Sequence, residues 1–353
     1  MYLIIAILIF GILIAVHELG HFMAAKACGV RVNEFSIGMG PALWKRQRGE
    51  TLYSLRALPI GGFCAMEGED SDSSDPRGFQ NQSRLKRLII LVAGAAMNFL
   101  FGLLLIVVIF SQSKGFNSPV ITGFMESCPY ESADGLQTGD RFWRVNGERI
   151  YFSGDVSTYL ARNNGSDLMD IVVLRDGAKV ELKDYKMTLV DYEQDGKTVQ
   201  RYGFYFGQLD TGIAAVLRYS WYQALDFVRI VRIGLVDLLT GGAHMSDMAG
   251  VVGIVDMMNT VGESAPTVAA GVTNVLYLGA FIAVNLAVMN LLPIPALDGG
   301  RVLFLFLTWV IESITRRRLD PKYEGYINAA GLALLMALMV YVMFNDIVRI
   351  ISG

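Results

Sequence analysis

The feature that most constrains this chain is a pair of histidines and a glutamate set inside a hydrophobic segment. From Met1 to Ala27 the residues are almost all Leu, Ile, Ala, Phe, Met and Gly, enough as one helix to cross about 30 Å of hydrocarbon. Within it stands Val16-His17-Glu18-Leu19-Gly20-His21-Phe22. Glu18 alone costs roughly 2.5 to 3.5 kcal/mol near a bilayer centre, so a group of this kind marks function rather than packing. His17 and His21, four residues apart, fall on one helical face and can hold one metal ion while Glu18 beside them acts on a water. This is the H-E-x-x-H pattern of metal-dependent hydrolases.

The rest of the 353 residues also reads as membrane protein. Mean hydropathy is +0.42, too apolar for a soluble chain, yet the hydrophobic spans are too few for a many-helix transporter. A net charge of -3 gives no reason to expect nucleic acid. The three cysteines, Cys28, Cys64 and Cys128, share no metal spacing and cannot make a disulfide framework, so they read as small buried hydrophobes. The N-terminus has neither a basic n-region nor a small-residue cleavage site, and residues 1–27 are expected to stay as the first transmembrane helix.

Residues 28–84 form a polar stretch on the cytoplasmic side. Val32 to Ile37 and Thr51 to Leu58 alternate as strands do, the turn-like Gly38-Met39-Gly40-Pro41 follows the first, and Gly61-Gly62 ends the pair. A membrane-associated β-hairpin or small sheet is expected, with an edge to which an extended substrate can add as a strand. Glu67 to Pro76 is acidic and Ser-rich. Residues 85–112 are the second span. Gly94, Ala95 and Ala96 allow close approach of a neighbouring helix, and Asn98 either supports the site or joins helices by a hydrogen bond.

Residues 118–207 read as an inserted α+β domain. Strands are expected at Val120 to Phe124, Arg141 to Val145, Leu168 to Leu174 and Val180 to Leu189, with Asn146-Gly147 and Asp176-Gly177 as turns. A short helix spans Ser153 to Arg162, and Asp191 to Phe206 makes one further hairpin. The order, with Gly135-Leu136-Gln137-Thr138-Gly139-Asp140-Arg141 before a strand, resembles a PDZ domain, which binds extended chains by strand addition; an inert spacer is the plainer reading. Residues 212–262 read as interfacial amphipathic helices, because Arg218, Asp226, Arg229, Arg232 and Asp237 interrupt the apolar pattern. His244 is expected in a loop. Residues 268–312 hold the third span and the turn Asn290-Leu291-Leu292-Pro293-Ile294-Pro295-Ala296-Leu297-Asp298-Gly299-Gly300, and residues 326–350 hold the fourth span.

Basic residues crowd the loops after the first span and before the fourth, which puts both in the cytoplasm and the N-terminus and inserted domain outside. His17, His21 and Asp298 then reach one depth, near the cytoplasmic ends of spans one and three. Two histidines and one aspartate, with a position left for water, suit zinc, and by ligand type alone iron or cobalt as well. Two readings without peptidase chemistry are a metal-ion transporter and a non-catalytic scaffold built on the PDZ-like domain. A transporter, however, strings ionisable groups along several spans, whereas these cluster at one depth.

The segments HELGHF (His17 to Phe22), FSIGMGP (Phe35 to Pro41), LPIGG (Leu58 to Gly62) and NLLPIPALDGG (Asn290 to Gly300), with the PDZ-like stretch, together resemble the site-2 protease family, in its bacterial RseP-like branch with a single PDZ domain. The resemblance implies a polytopic α-helical membrane protein with four transmembrane helices, a membrane-associated β-sheet and one inserted α+β PDZ-like domain, seated in a bacterial inner membrane. It implies regulated intramembrane proteolysis by a zinc metalloendopeptidase, with His17, His21 and Asp298 as ligands and Glu18 as catalytic carboxylate. Single-span membrane proteins, either anti-sigma factors or remnant signal peptides, are the implied substrates; Asn290, Asn98, Leu58, Gly61 and Gly62 are the candidate substrate-binding residues. The chain departs from the family at Ala95-Ala96 and at Val251-Val252, where a proline is usual, which touches helix shape rather than chemistry.

Overall fold

The computed structural model describes residues 1–69, 73–162, 166–194, 197–209, 211–242, 249–315 and 322–352. In chain order the elements are α1 (Tyr2–Cys28), β1 (Val32–Arg48), β2 (Thr51–Met66), α2 (Arg84–Phe110), β3 (Phe116–Phe124), β4 (Arg141–Val145), β5 (Glu148–Arg149) and α3 (Ser153–Ala161). There follow β6 (Leu168–Arg175), β7 (Ala178–Lys186), β8 (Val190–Gln194), β9 (Lys197–Arg201), β10 (Phe204–Leu209), α4 (Ile213–Thr240), α5 (Val251–Glu263), α6 (Val268–Asn290), α7 (Asp298–Thr315) and α8 (Lys322–Ser352). They divide into two compact units, Met1–Ile109 with Phe227–Gly353, and Phe110–Asp226.

Among the described residues four helices are long and apolar enough to cross a membrane: Tyr2–Cys28, Arg84–Phe110, Val268–Asn290 and the Gly325–Val348 part of α8. The chain is a polytopic membrane protein. On α1 the buried residues Tyr2, Ala6, Ile9, Leu13, Gly20, His21 and Ala25 recur every three or four positions, the stripe by which a helix faces a protein interior. The upper part of the stripe packs with Met258 of α5 and with Val275, Ile282 and Ala283 of α6. The lower part packs with Val32, Phe35, Cys64 and Met66 of the sheet, Ile90 and Leu91 of α2 and Leu305 of α7. The histidines fall between these two apolar cores and point the way the core points. Gly29, left-handed at φ 80°, ends α1 and turns the chain into β1.

β1 and β2 are much longer than their alternating cores at 32–37 and 51–58. Near the Gly49-Glu50 turn they form an antiparallel hairpin, from Arg48 opposite Thr51 to Ala42 opposite Arg56. Both then bend, so that Phe35 lies opposite Cys64 and Ile37 opposite Gly62. The same stretch of β1 flanks the start of β2 with numbers rising together, Glu34 opposite Leu52 and Ile37 opposite Leu55. Four runs therefore lie side by side in the order 42–48, 51–56, 34–37 and 62–66, and the last is a sheet edge. The expectation that Gly61-Gly62 ends the pair is corrected: β2 runs on to Met66. Gly38, Gly40 and Gly61, at φ 85°, 83° and 94°, bend strands that continue, as glycines at bulges do. Arg56 fastens the result, donating to Glu34 Oε1 (2.7 Å), Ser36 Oγ (2.8 Å) and the Gly40 carbonyl (2.9 Å).

The second unit is an antiparallel sheet in the order β10-β3-β4-β6-β7, with β5 paired to β4. Asn146-Gly147 and Asp176-Gly177 have positive φ at both residues, the geometry of the two-residue hairpin turn their sequences call for. Asp155 Oδ2 accepts from the backbone N–H of Tyr151 at 2.8 Å, holding the entry to α3. The expected hairpin over 191–206 divides: β8 pairs with β9, and β10 leaves to pair with β3. The side chain of Asp140 is wholly buried and accepts a two-pronged bond from Arg175, both contacts at 2.8 Å, plus the Gln137 N–H at 2.8 Å. Arg175 also donates to the Gly135 carbonyl, so this one ion pair ties the Gly135 to Asp140 loop to β6. Asp140→Ala leaves the guanidinium without its partner, and a loss of about 3 kcal/mol is expected from the 110–226 unit. Hydrogen–deuterium exchange of the full-length protein is expected to show β4 and β6 deprotected while zinc content stays at the wild-type level.

Candidate metal centre

The site is built on one face of α1 and on the turn that joins α6 to α7. α6 stops at Asn290 because Pro293 and Pro295 cannot continue a helix. The chain crosses Ala296 at φ 72°, an uncommon conformation for a residue with a side chain, and Asn328 of α8 accepts the Ala296 N–H at 3.4 Å. α7 then opens on Asp298, an acidic residue at a helix N-terminus where the dipole favours it. Far apart in sequence, His17, His21 and Asp298 converge.

The convergence is tight. The His17 and His21 Nε2 atoms lie 3.2 Å apart, and Asp298 Oδ2 is 3.3 Å from each. A tetrahedral ion with bonds of about 2.0 to 2.1 Å sets its ligand atoms about 3.3 to 3.4 Å apart, so this triangle has the dimensions of a zinc site. Among the described residues these three form a group able to hold a metal. Among the described residues the buried Asp298 Oδ2 has no hydrogen-bond partner, an arrangement that costs free energy unless a cation meets the oxygen. His21 Nδ1 lies 2.8 Å from the Ile90 carbonyl. A carbonyl accepts only, so Nδ1 carries the proton and the lone pair of Nε2 is turned inward.

α2 comes unusually close to this triangle. A Cβ at Gly94 would stand 2.3 Å from His21 Nε2 and 2.7 Å from His17 Cε1, and one at Gly20 would stand 2.4 Å from the Ala93 carbonyl oxygen. Glycine at both positions, Gly94 against the two rings and Gly20 against the Ala93 carbonyl, lets the helices meet at the imidazoles. A cavity of about 480 Å³ opens beside the cluster, lined by His17, Glu18, His21, Asp298, Phe63 and Cys64 together with Glu69, Arg301 and Asn328. Glu69 and Arg301 form an ion pair across it. Burial, with the carboxylates of Glu18 and Glu69 nearby, pushes the Cys64 thiol up to about 12, so it is an inert wall rather than a nucleophile.

The candidate substrate-binding residues divide. Gly62 is at the sheet edge over the cluster, where an added Cβ would stand 3.6 Å from Glu18 Cγ. Gly61 packs on Met39, and Leu58 is 59% exposed on the sheet. The Asn290 amide lies 3.5 Å from His17 Nδ1. Asn98 is buried on α2, its Oδ1 without a hydrogen-bond partner among the described residues. His244 lies outside the described residues. Sequence reasoning missed Glu69, Arg301 and Asn328, and only the position of Arg301 one turn beyond Asp298 offered a signal. It also missed Asp346 of α8, which is fully buried and accepts the Gly253 N–H at 2.8 Å, capping α5.

Two histidines and an aspartate converging in a membrane helix bundle, with a glutamate beside them at an open cavity, define a membrane-embedded metallohydrolase. The profile of peptidase family M50 matches residues 5–338. A Clostridium acetobutylicum protein provisionally named a zinc metalloprotease is 36% identical over 98% of this chain and 97% of its own. The zinc metalloprotease RasP of Bacillus licheniformis is 29% identical over 98% of each. The regulator of sigma-W protease RasP of Bacillus subtilis is 27% identical over 98% of this chain and 97% of its own. The chain belongs to peptidase family M50, the site-2 proteases.

Proposed function

We propose that His17, His21 and Asp298 hold the zinc of this intramembrane metalloprotease, that Glu18 is its catalytic carboxylate, and that its substrates are single-span membrane proteins. The observation that carries the ligand assignment is the triangle of donor atoms at 3.2 and 3.3 Å. Zinc held by these three residues would supply Lewis-acid chemistry, polarising a scissile carbonyl and lowering the pKa of a water towards neutrality. Glu18, in the cavity wall beside them, is the carboxylate placed to take a proton from the attacking water and return it to the departing amine. The Ile90 carbonyl fixes the ring of His21. Asn290 Nδ2 stands 3.5 Å from His17 Nδ1; rotating the amide, whose two ends exchange by such a rotation, brings Oδ1 there to accept from the ring N–H and fix the other ring.

A helical substrate hides its carbonyls in its own hydrogen bonds and has to unwind before it is cut. The free edge at 62–66 lies along the cavity, and an extended segment added there is held open beside Glu18. Gly62 suits that role because a larger side chain would collide with the Ser36 carbonyl oxygen, 2.8 Å from its Cβ position. Leu58, Gly61 and Asn98 complete the proposed substrate path. The sheet lies at the membrane surface on the cytoplasmic side, following the basic residues that flank it, with the N-terminus and the 110–226 unit outside. The order of strands around α3 supports a PDZ-like domain there, one that binds or excludes extended segments. One relative is named for sigma-W regulation, which favours membrane-bound regulators such as anti-sigma factors over remnant signal peptides.

The test is cleavage of a reconstituted single-span substrate with mapping of the product ends. Cuts within the apolar span that stop on chelation and resume with zinc are expected. Product ends outside the span contradict the reading.

A further inference from the structure

One face of the sheet carries a feature the proteolytic reading does not use. Side chains at alternate positions share a face, and the register aligns them in rows. Trp44, Leu55 and Ile37 form one row across three runs of chain, and Arg46, Tyr53 and Phe35 form the next. Arg48 follows Arg46 on the same face. These residues line a groove of about 510 Å³. Along the strands its character passes from apolar, through aromatic, to two guanidinium groups. Trp44, Leu55 and Ile37 are 51%, 47% and 42% exposed, so the described residues leave the apolar row open.

The charges are as informative as the apolar row. The acid nearest in sequence to Arg48 is Glu50, and it is taken by Lys26 and Arg77, each at 2.7 Å. Glu34 points to the opposite face, where Arg56 holds it. Among the described residues no carboxylate pairs with Arg46 or Arg48. An apolar row ending at two unpaired arginines complements an amphiphile with an anionic head. In a chain with four candidate membrane-spanning helices, the amphiphile at hand is lipid. A free phosphate would use the arginines and leave the row bare.

We propose that this face is a binding site for one anionic phospholipid, its phosphate held by Arg46 and Arg48 and its acyl chain laid along Trp44, Leu55 and Ile37. The site fixes the sheet against the membrane at a set depth, and with it the edge at 62–66 that is proposed to receive substrate. The inference rests on the reading that the sheet lies at the membrane surface. Its test reads lipid contact rather than cleavage, so its failure leaves the proteolytic reading standing.

The experiment uses full-length protein in mixed micelles containing phosphatidylglycerol or phosphatidylcholine with the same brominated acyl chains. Quenching of Trp44 is taken as the difference between wild type and Trp44→Phe, which removes the other tryptophans from the signal. Brominated phosphatidylglycerol is expected to quench at lower mole fraction than phosphatidylcholine, by about fivefold for each arginine at low salt. Arg46→Gln with Arg48→Gln should abolish the preference, and the double Lys variant should keep most of it. Equal quenching by the two lipids in wild type overturns the proposal, and so does a preference that survives in the Gln pair. Loss of the preference on adding inorganic phosphate, with ionic strength held constant by sodium chloride, reassigns the arginines to a soluble anion. Displacement by a soluble acidic peptide reassigns the face to protein. If the Gln pair loses zinc and so is misfolded, the wild-type comparison and its weakening by salt decide the matter.

Discussion

Gly94→Ala is expected to strip the chain of zinc and of proteolysis together. The added methyl would stand 2.3 Å from His21 Nε2, with two further ring carbons at 2.7 and 2.8 Å. The atoms in its way belong to the two imidazole rings of the proposed metal site, not to the far end of a flexible side chain. Nor can the helices part easily, since Ile90 and Leu91 of α2 are buried in the same apolar core as Ala25 of α1. To reach ordinary contact the rings must move by about 1 Å, a misplacement that costs on the order of 10²-fold in a reacting constellation. Disturbing the orientation of metal ligands costs about 10- to 100-fold in affinity. Zinc per chain and substrate cleavage are expected to fall in parallel, whereas Gly234→Ala, with open space around its Cβ position, should leave both unchanged. A zinc-replete, active Gly94→Ala protein would mean that the two helices do not approach as described.

Glu18→Gln is expected to separate what Gly94→Ala removes together. Glu18 lines the cavity but is not one of the three converging donors, so the Gln variant should keep its zinc. An amide cannot accept and return a proton at a working pH, and loss of a positioned acid–base group costs about 10² to 10⁴-fold in rate. Cleavage of the reconstituted substrate should fall by that amount with zinc unchanged. A Gln variant that holds zinc and cuts at the wild-type rate removes Glu18 from the proton path.

The centre was more legible in the sequence than the elements around it, for a physical reason. Charged groups are costly in hydrocarbon, so His17, Glu18, His21 and Asp298 stand out against Leu and Ile, and helix periodicity sets which of them share a face. Gly94 was visible as a small residue permitting close approach, but that its target was the imidazoles depended on the register of α2 against α1, which no local pattern encodes. The sheet was half legible. Alternation marks 32–37 and 51–58, but the bends at Gly38, Gly40 and Gly61 look like terminators when read locally, and only pairing between distant runs shows that the strands continue. Asp346 was overlooked because a lone acid near the end of an apolar helix resembles an interfacial residue, and its partner, the Gly253 N–H, is a backbone group with no side-chain signature. Asn146-Gly147 and Asp176-Gly177 were read correctly because their turn type depends on backbone conformation alone.

The account stands on one zinc ion shared between α1 and the turn before α7. Zinc measured per chain in the purified wild type and in His17→Ala, His21→Ala and Asp298→Ala tests this most directly. One equivalent in the wild type and its loss in each variant is the predicted result. Asp298→Ala protein that keeps its full equivalent of zinc would contradict the account, because the donor that joins the two distant parts of the chain would then not be a ligand.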